Sequence, residues 1–342
     1  MRKLPAALAA GVLVLVGGAL VASADTPDPC EDARSDRDYI ACRADRHDAA
    51  LADLKERLEA LERKVDDLPA PADPAPSESP DPEPSDEPSP SEGPSEFPNA
   101  SNTGVPSGVA LTDYTGPKTI TSPTTIVGKR ITGLLVVKAD LTIRNSRIVG
   151  NIDNDYGKSL VIEDSEVDGG RSQIPAVGYS NITMKRTEVK GARVSVLCGS
   201  NCLIEDSWLH GQYAPSGSDW HVNGYLSNGG SNVVVRHNTL ACDVGGGACT
   251  GPAASFGDFG AISNVTYENN FLKAGGGYCL YAGYDPGKPY GKNPTNVRVV
   301  DNVFERGSSG KCGYYGPATS FKSGGGNVFS GNKFEDGGAV NP

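Results

Sequence analysis

A nine-residue unit that recurs eight times constrains what the C-terminal part of this chain can fold into. Its copies start at Asp140, Ser159, Asn181, Asn201, Asn232, Asn264, Asn296 and Gly326. The copy at 232–240, NVVVRHNTL, is representative. Successive starts lie 19, 22, 20, 31, 32, 32 and 30 residues apart. A motif repeated at such a period signals a stack of similar coils, each burying its apolar face on the next.

The pattern within the unit is that of a strand followed by a bend. Positions two and four are mostly apolar with polar residues between them, the period of a β-strand. Position nine is an apolar column: Ile148, Val167, Val189, Leu209, Leu240, Leu272, Phe304 and Phe334. Position seven holds Ser146, Ser165, Thr187, Ser207, Asn238, Asn270, Asn302 and Asn332. Asn tolerates the left-handed backbone of a tight bend, so this position is expected to carry the bend and to form a hydrogen-bonded ladder from coil to coil. Position five alternates in sign through Arg144, Glu163, Lys185, Glu205, Arg236 and Glu268. With coils ~4.8 Å apart, each charge would face its opposite, and cross-strand pairs of this kind add ~0.2–1 kcal/mol each.

On these units the chain resembles right-handed parallel β-helix proteins of the pectate-lyase-like superfamily, over roughly 118–338. More narrowly it resembles secreted bacterial β-helix proteins with coils of the form NVTIRHNTI and an H-x-D-G segment before one of them. His221, Asn223 and Gly224 match that segment, with Asn223 where the resemblance expects Asp. The resemblance implies an all-β, right-handed parallel β-helix (a solenoid) over 99–342, with the runs at 119–127 and 131–138 forming its first coil and N-terminal cover.

The segments before the repeats are of a different kind. Residues 1–24 read as a signal peptide: Arg2 and Lys3, an apolar run from Ala6 to Val21, then Ala22-Ser23-Ala24. Residues 25–68 read as helical. Leu51, Leu54, Leu58, Leu61, Val65 and Leu68 step by three and four, a short coiled-coil seam. This seam either joins copies of the chain through 48–68 or folds back on a helix bridged by Cys30 and Cys42. Residues 69–98 are Pro, Ser, Asp and Glu with almost nothing apolar, an extended disordered linker.

Charge and cysteine usage narrow the function classes. Residues 1–98 carry 10 Lys/Arg against 22 Asp/Glu, whereas 99–342 carry 21 against 20. The repeat region therefore lacks the basic footprint of a nucleic-acid binder. Eight cysteines in an exported chain point to disulfides. Four local pairs are plausible: Cys30–Cys42, Cys198–Cys202, Cys242–Cys249 and Cys279–Cys312, the last 33 residues apart, almost one coil. No CxxC and no His pair at ligand spacing supports zinc instead. The chain is expected outside the cell, free or wall-associated, with no membrane span once the signal is removed.

From the Asn201 unit onward each coil gains about ten residues after position nine, in 210–231, 241–263, 273–295 and 305–325. Long loops gathered on one side of a rigid body are where function is expected. They carry Tyr213, Trp220, Tyr225, Phe256, Phe259, Tyr278, Tyr281, Tyr284, Tyr290, Tyr314 and Tyr315, rings suited to flat sugars or to packing the loops onto the body. His210, Asp219, His221 and Asn223 form the candidate catalytic group, since a His near neutral pKa shuttles protons. Tyr213, Trp220, Lys273, Tyr281 and Tyr284 are the candidate substrate-binding residues.

Two functional readings follow. One is a carbohydrate-active enzyme on an extracellular polysaccharide. A hydrolase would need two carboxylates about 5–9 Å apart, and Asp258 with Asp285 in consecutive loops is the nearest sequence candidate. A lyase would need a base, a proton donor and a cation, either Lys273 or Arg236 or a metal. Calcium on loop carboxylates is the candidate cofactor. The other reading is a non-catalytic glycan-binding or structural module displayed on an oligomerising stalk. The carboxylates Glu163, Glu205 and Glu268 and the bend residue His237 are read as structural.

Overall fold

The computed structural model describes residues 97–244 and 247–342. Within them the nine-residue unit resolves into two strands and a corner. Positions two to five form a strand of one sheet, as in Leu141–Arg144, and the last positions form a strand of a second, as in Arg147–Val149. A third strand, such as Ile152–Asn154, follows before the next unit. Each turn of chain therefore visits three sheets, all paired in parallel. Sheet C holds positions two to five and runs from Thr124–Val127 to Val328–Ser330. Sheet A holds the end of the unit and runs from Thr112–Asp113 to Lys333–Phe334. Sheet B lies in the variable spacer and runs from Thr119–Ile120 to Gly316–Thr319. This is a parallel β-helix, and no helix appears among the described residues.

The interior follows the unit's apolar positions. Leu141 and Ile143, Leu160 and Ile162, and Ile182 and Met184 are buried from sheet C, with the position-nine column from sheet A. The two buried tyrosines, Tyr225 and Tyr267, meet edge to face at 5.9 Å. Tyr225 therefore belongs to the core and not to a ligand surface, and its hydroxyl donates to the Cys198 carbonyl at 2.8 Å.

The sharp left-handed backbone lies one residue earlier than the sequence suggests. Position six, not position seven, has positive φ in every unit: Asn145, Asp164, Arg186, Asp206, His237, Asn269, Asp301 and Gly331. Position seven instead turns inward. Ser146, Ser165, Thr187, Ser207, Asn238, Asn270, Asn302 and Asn332 are all buried. In the last four coils the amides form a ladder: the Nδ2 of Asn238, Asn270 and Asn302 donates to the next Oδ1 at 3.0, 2.9 and 3.0 Å. The same Oδ1 atoms accept the preceding backbone N–H groups at 3.0 Å. A second, exposed ladder joins position one, where Asn181, Asn201, Asn232, Asn264 and Asn296 also have positive φ.

The charge column at position five is in register, and ion pairs join Arg144 to Glu163 at 2.7 Å, Lys185 to Glu205 at 2.8 Å, and Arg236 to Glu205. Burial opposes ionisation of Glu205, but hydrogen bonds from Lys185 and Arg236 outweigh it and hold its carboxyl below the usual value. His237 is more than a solvated bend: its Nδ1 lies 2.6 Å from Asp206 Oδ1.

Two further expectations need correction. The added residues of the long coils do not form loops on one side. They contain the sheet B strands, such as Val222–Ser227 and Cys249–Ser255, and their loops flank sheet B on both edges. The body also begins before residue 99. Phe97 stacks on Phe271 at 5.4 Å and lies 5.7 Å from His237. Seven residues on, Gly104 donates to the Arg186 carbonyl at 3.1 Å. A strap thus crosses the units from 264 back to 181 along the corner between sheets C and A. The signal segment, the helical segment with Cys30–Cys42, and residues 69–96 lie outside the described residues. No helix among the described residues is long and apolar enough to cross a membrane.

The buried amide ladder is testable. Asn270→Ala leaves the buried backbone N–H of Asn238 without an acceptor, and such an orphaned group costs about 1–3 kcal/mol. Asn264→Gly on the exposed ladder keeps the left-handed bend and should cost less than about 1 kcal/mol. Urea unfolding of both variants should show a clearly lower midpoint for Asn270→Ala alone.

Candidate functional site

Among the described residues, sheet B is the one of the three sheets bordered by long loops on both edges in the later coils. Its outward column is in register through Leu197, Leu226, Ala254, Tyr281 and Thr319. Leu226 and Ala254 are buried with Val194 in a cluster separate from the core, and Leu197, Phe256 and Tyr281 pack against it. The face is therefore apolar in its middle.

An aromatic run crosses this face obliquely. Phe256 contacts Tyr281 at 5.3 Å between centroids, Tyr281 contacts Tyr278 at 5.6 Å, Tyr278 contacts Tyr315 at 5.7 Å and Tyr315 contacts Tyr314 at 4.8 Å. It begins at the edge toward sheet C and ends at the edge toward sheet A. Tyr314 and Tyr315 are 72% and 66% exposed, so the run ends on rings open to a ligand. Burial pushes the Tyr281 hydroxyl above its usual pKa, which leaves it a neutral hydrogen-bonding group at pH 7.

The chain holds the end of this run in place by three means. Tyr314 and Tyr315 donate their backbone N–H groups to Gly276 and Gly277 of the preceding coil at 2.8 Å. Cys312 is bonded to Cys279, at 2.03 Å, as the one-coil spacing predicts. A Cβ at Gly313 would lie 2.5 Å from the Gly277 carbonyl oxygen, so only glycine allows this approach. The pairs Cys198–Cys202 and Cys242–Cys249 are also formed.

The edge toward sheet A carries a second group. Gln212 is buried; it donates to Ser195 Oγ at 2.8 Å and accepts the Asp243 N–H at 3.1 Å. Asp243 in turn accepts the Gly211 N–H at 2.9 Å. This brace fixes the start of the loop, and Tyr213 donates its own N–H to the Ala192 carbonyl at 2.8 Å. Tyr213 meets Trp220 edge to face at 6.1 Å, and the guanidinium of Arg171, two coils below, lies over the Tyr213 ring at 5.4 Å. Neither Arg171 nor Gln212 belongs to a repeat motif, and no spacing rule in the sequence singles them out.

The remaining candidates are dispersed. His221 is exposed at the start of a sheet B strand, with Nδ1 3.3 Å from Thr250 Oγ1 on the next coil. Asp219 is exposed in the same loop. Asn223 is buried, and its side chain donates to the Gly251 carbonyl at 2.9 Å. His210 lies on sheet A, stacked on Trp208 at 3.5 Å and bonded to Glu188 at 3.0 Å. Lys273 also lies on the outer side of sheet A, paired with Glu305 at 2.9 Å. Tyr284 borders sheet B on its other edge, with Lys322 over its ring at 5.2 Å.

The loop carboxylates are engaged locally. Asp258 pairs with Lys288 at 2.7 Å, and Asp285 accepts the Gly287 N–H at 2.9 Å. Among the described residues there is no group of three or more His, Cys, Asp or Glu side chains placed to hold a metal ion. Compared with protein-family models, curated proteins and solved structures, the chain matches none.

The His210–Glu188 contact predicts a pH effect on stability. The hydrogen bond from His210 and the nearby Lys190 hold the Glu188 carboxyl below its usual 4.5. A carboxylate with a depressed folded pKa stabilises the protein above its unfolded pKa, and that contribution is lost as pH falls through the folded value. Glu188→Gln should therefore flatten the acid limb of a thermal-stability profile below about pH 4.5.

Proposed function

We propose that this is a secreted glycan-binding protein whose binding surface is the outer face of sheet B. The observation that carries the reading is the continuous aromatic run from Phe256 through Tyr281, Tyr278 and Tyr315 to Tyr314. Rings of this kind offer large, rigid contact area with little side-chain entropy to lose, and tyrosines add a hydrogen-bonding tip. Their neutral hydroxyls suit sugar hydroxyls, and spacings near 5 Å approach the length of a sugar unit. Three disulfides among the described residues favour an oxidising compartment, as does the signal-like segment at 1–24.

Right-handed winding, the common hand of parallel crossovers, and membership of the pectate-lyase-like superfamily are part of this proposal. So is display on a stalk that joins copies of the chain through 48–68. The extracellular polysaccharide that it binds is recognised along its length.

A second reading, turnover of the bound glycan, is favoured by one observation: His221 is exposed at the edge of the same face, beside Thr250. Hydrolysis through two carboxylates is less well supported, because Asp258 and Asp285 are each committed to neighbours. A glycan array with the full secreted chain separates the readings. Tyr315→Ala should weaken binding about tenfold or more, in line with loss of one or two kcal/mol from an aromatic contact, with thermal stability unchanged. Retention with no new reducing ends and no unsaturated product supports binding alone. Product formation that His221→Ala abolishes while binding persists would establish the enzyme.

A further inference from the structure

Arg171 is exposed, and its guanidinium lies over the Tyr213 ring at 5.4 Å. It makes no ion pair among the described residues, although acidic side chains are near in sequence. Asp168 is turned to the Gly170 N–H at 2.9 Å, and Asp219, one residue before Trp220, makes no ion pair with it. In the long coils the other cations beside sheet B that lie over a ring have polar partners, whereas in an earlier coil Lys138 lies over the Tyr156 ring at 4.6 Å. Lys288 is paired with Asp258, and Lys322 donates to the Lys292 carbonyl and Asn293 Oδ1, both at 2.9 Å. A guanidinium is planar, permanently charged and forked, and it grips carboxylate or phosphate oxygens through two parallel N–H bonds. Resting on a tyrosine, it is oriented without being neutralised.

The location gives this cation a role that the aromatic run does not have. Arg171 stands in the loop entering the sheet B strand Val177–Ser180, and Tyr213 and Trp220 stand in the loop entering Val222–Ser227. The aromatic run occupies later coils, from the strand Cys249–Ser255 to the strand Gly316–Thr319. Both groups border the same face, separated along the axis of the solenoid. A ligand covering both must be a chain several units long.

We propose that Arg171, Tyr213 and Trp220 form an anion subsite: the rings take a sugar, and the guanidinium takes a negatively charged group that the glycan carries. This rests on the glycan-binding reading of sheet B. The shared chemistry is an oxyanion on a sugar chain, and its source is either a uronate carboxylate or a phosphodiester between units.

The test is a calorimetric titration of the full secreted chain with three octamers of matched length: an oligouronate, a phosphodiester-linked oligohexose and a neutral gluco-oligosaccharide. Wild-type protein should bind at least one anionic octamer about tenfold more tightly than the neutral one, at an ionic strength near 0.15 M. Arg171→Ala, at an exposed position, should keep the thermal midpoint, lose that preference and leave neutral-octamer affinity unchanged. Arg171→Lys should recover only part of it, because an ammonium is a point charge without the fork. Which anionic octamer shows the preference identifies the source. Equal affinity for charged and neutral octamers, or an unchanged preference in Arg171→Ala, overturns the subsite. If Tyr315→Ala still weakens binding in that case, the glycan-binding reading survives. If no octamer binds and Tyr315→Ala changes nothing, both fail.

Discussion

The buried amide ladder at position seven is the constraint on which the rest of this fold depends. A parallel coil must turn at the same place on every turn, or its strands fall out of register. Left-handed position six makes the turn and sends position seven inward. There an uncovered polar group would cost far more than an apolar one. Each Asn answers that with an oxygen that accepts from the coil before it, and the nitrogens of Asn238, Asn270 and Asn302 bridge the coil before and the coil after. The ladder therefore selects a single stacking register, and the apolar columns at positions two, four and nine then supply the bulk of the stabilisation. Sheet B inherits that register. Its strands need little sequence regularity of their own, and so they are free to carry aromatic residues and to admit loops at both ends.

That division explains what the sequence discloses and what it hides. Sheets C and A can be read from the unit, because their side chains alternate between a buried and an exposed face. The coil-to-coil disulfide between Cys279 and Cys312 can be read from its spacing for the same reason. The left-handed residue is hard to place from sequence because Asn and Asp at position six and Asn at position seven both tolerate that backbone. Only the requirement that one of them face inward distinguishes the two. Sheet B is obscure in the sequence because strands such as Cys249–Ser255, CTGPAAS, and Gly316–Thr319, GPAT, have neither alternation nor strong β propensity. They are strands because their neighbours on both sides are. The same obscurity hid the split of the long insertions into two loop sets.

For the site, residue type was a better guide than role. The aromatic residues gathered in the spacers do supply the exposed run, while Tyr225 lies in the core. The histidines separate by face: His210 belongs to an ion network with Glu188 on sheet A, His237 to a corner with Asp206, and His221 alone borders sheet B. Nothing in a linear pattern distinguishes these three, because the distinction is which sheet each one leaves. Arg171 is hidden for a related reason. Its partner Tyr213 is two coils away, a neighbour only once the chain is wound.

The strap has a mechanical consequence. In a three-sided coil the corner between sheets C and A lies opposite sheet B. Phe97 is seated on that corner, against His237 and Phe271. Phe97 therefore sits on the back of the body, partway along its length. A pull applied at residue 97 is borne as shear across the strap, spread over several coils, and is not delivered to one end where a terminal coil could be peeled away.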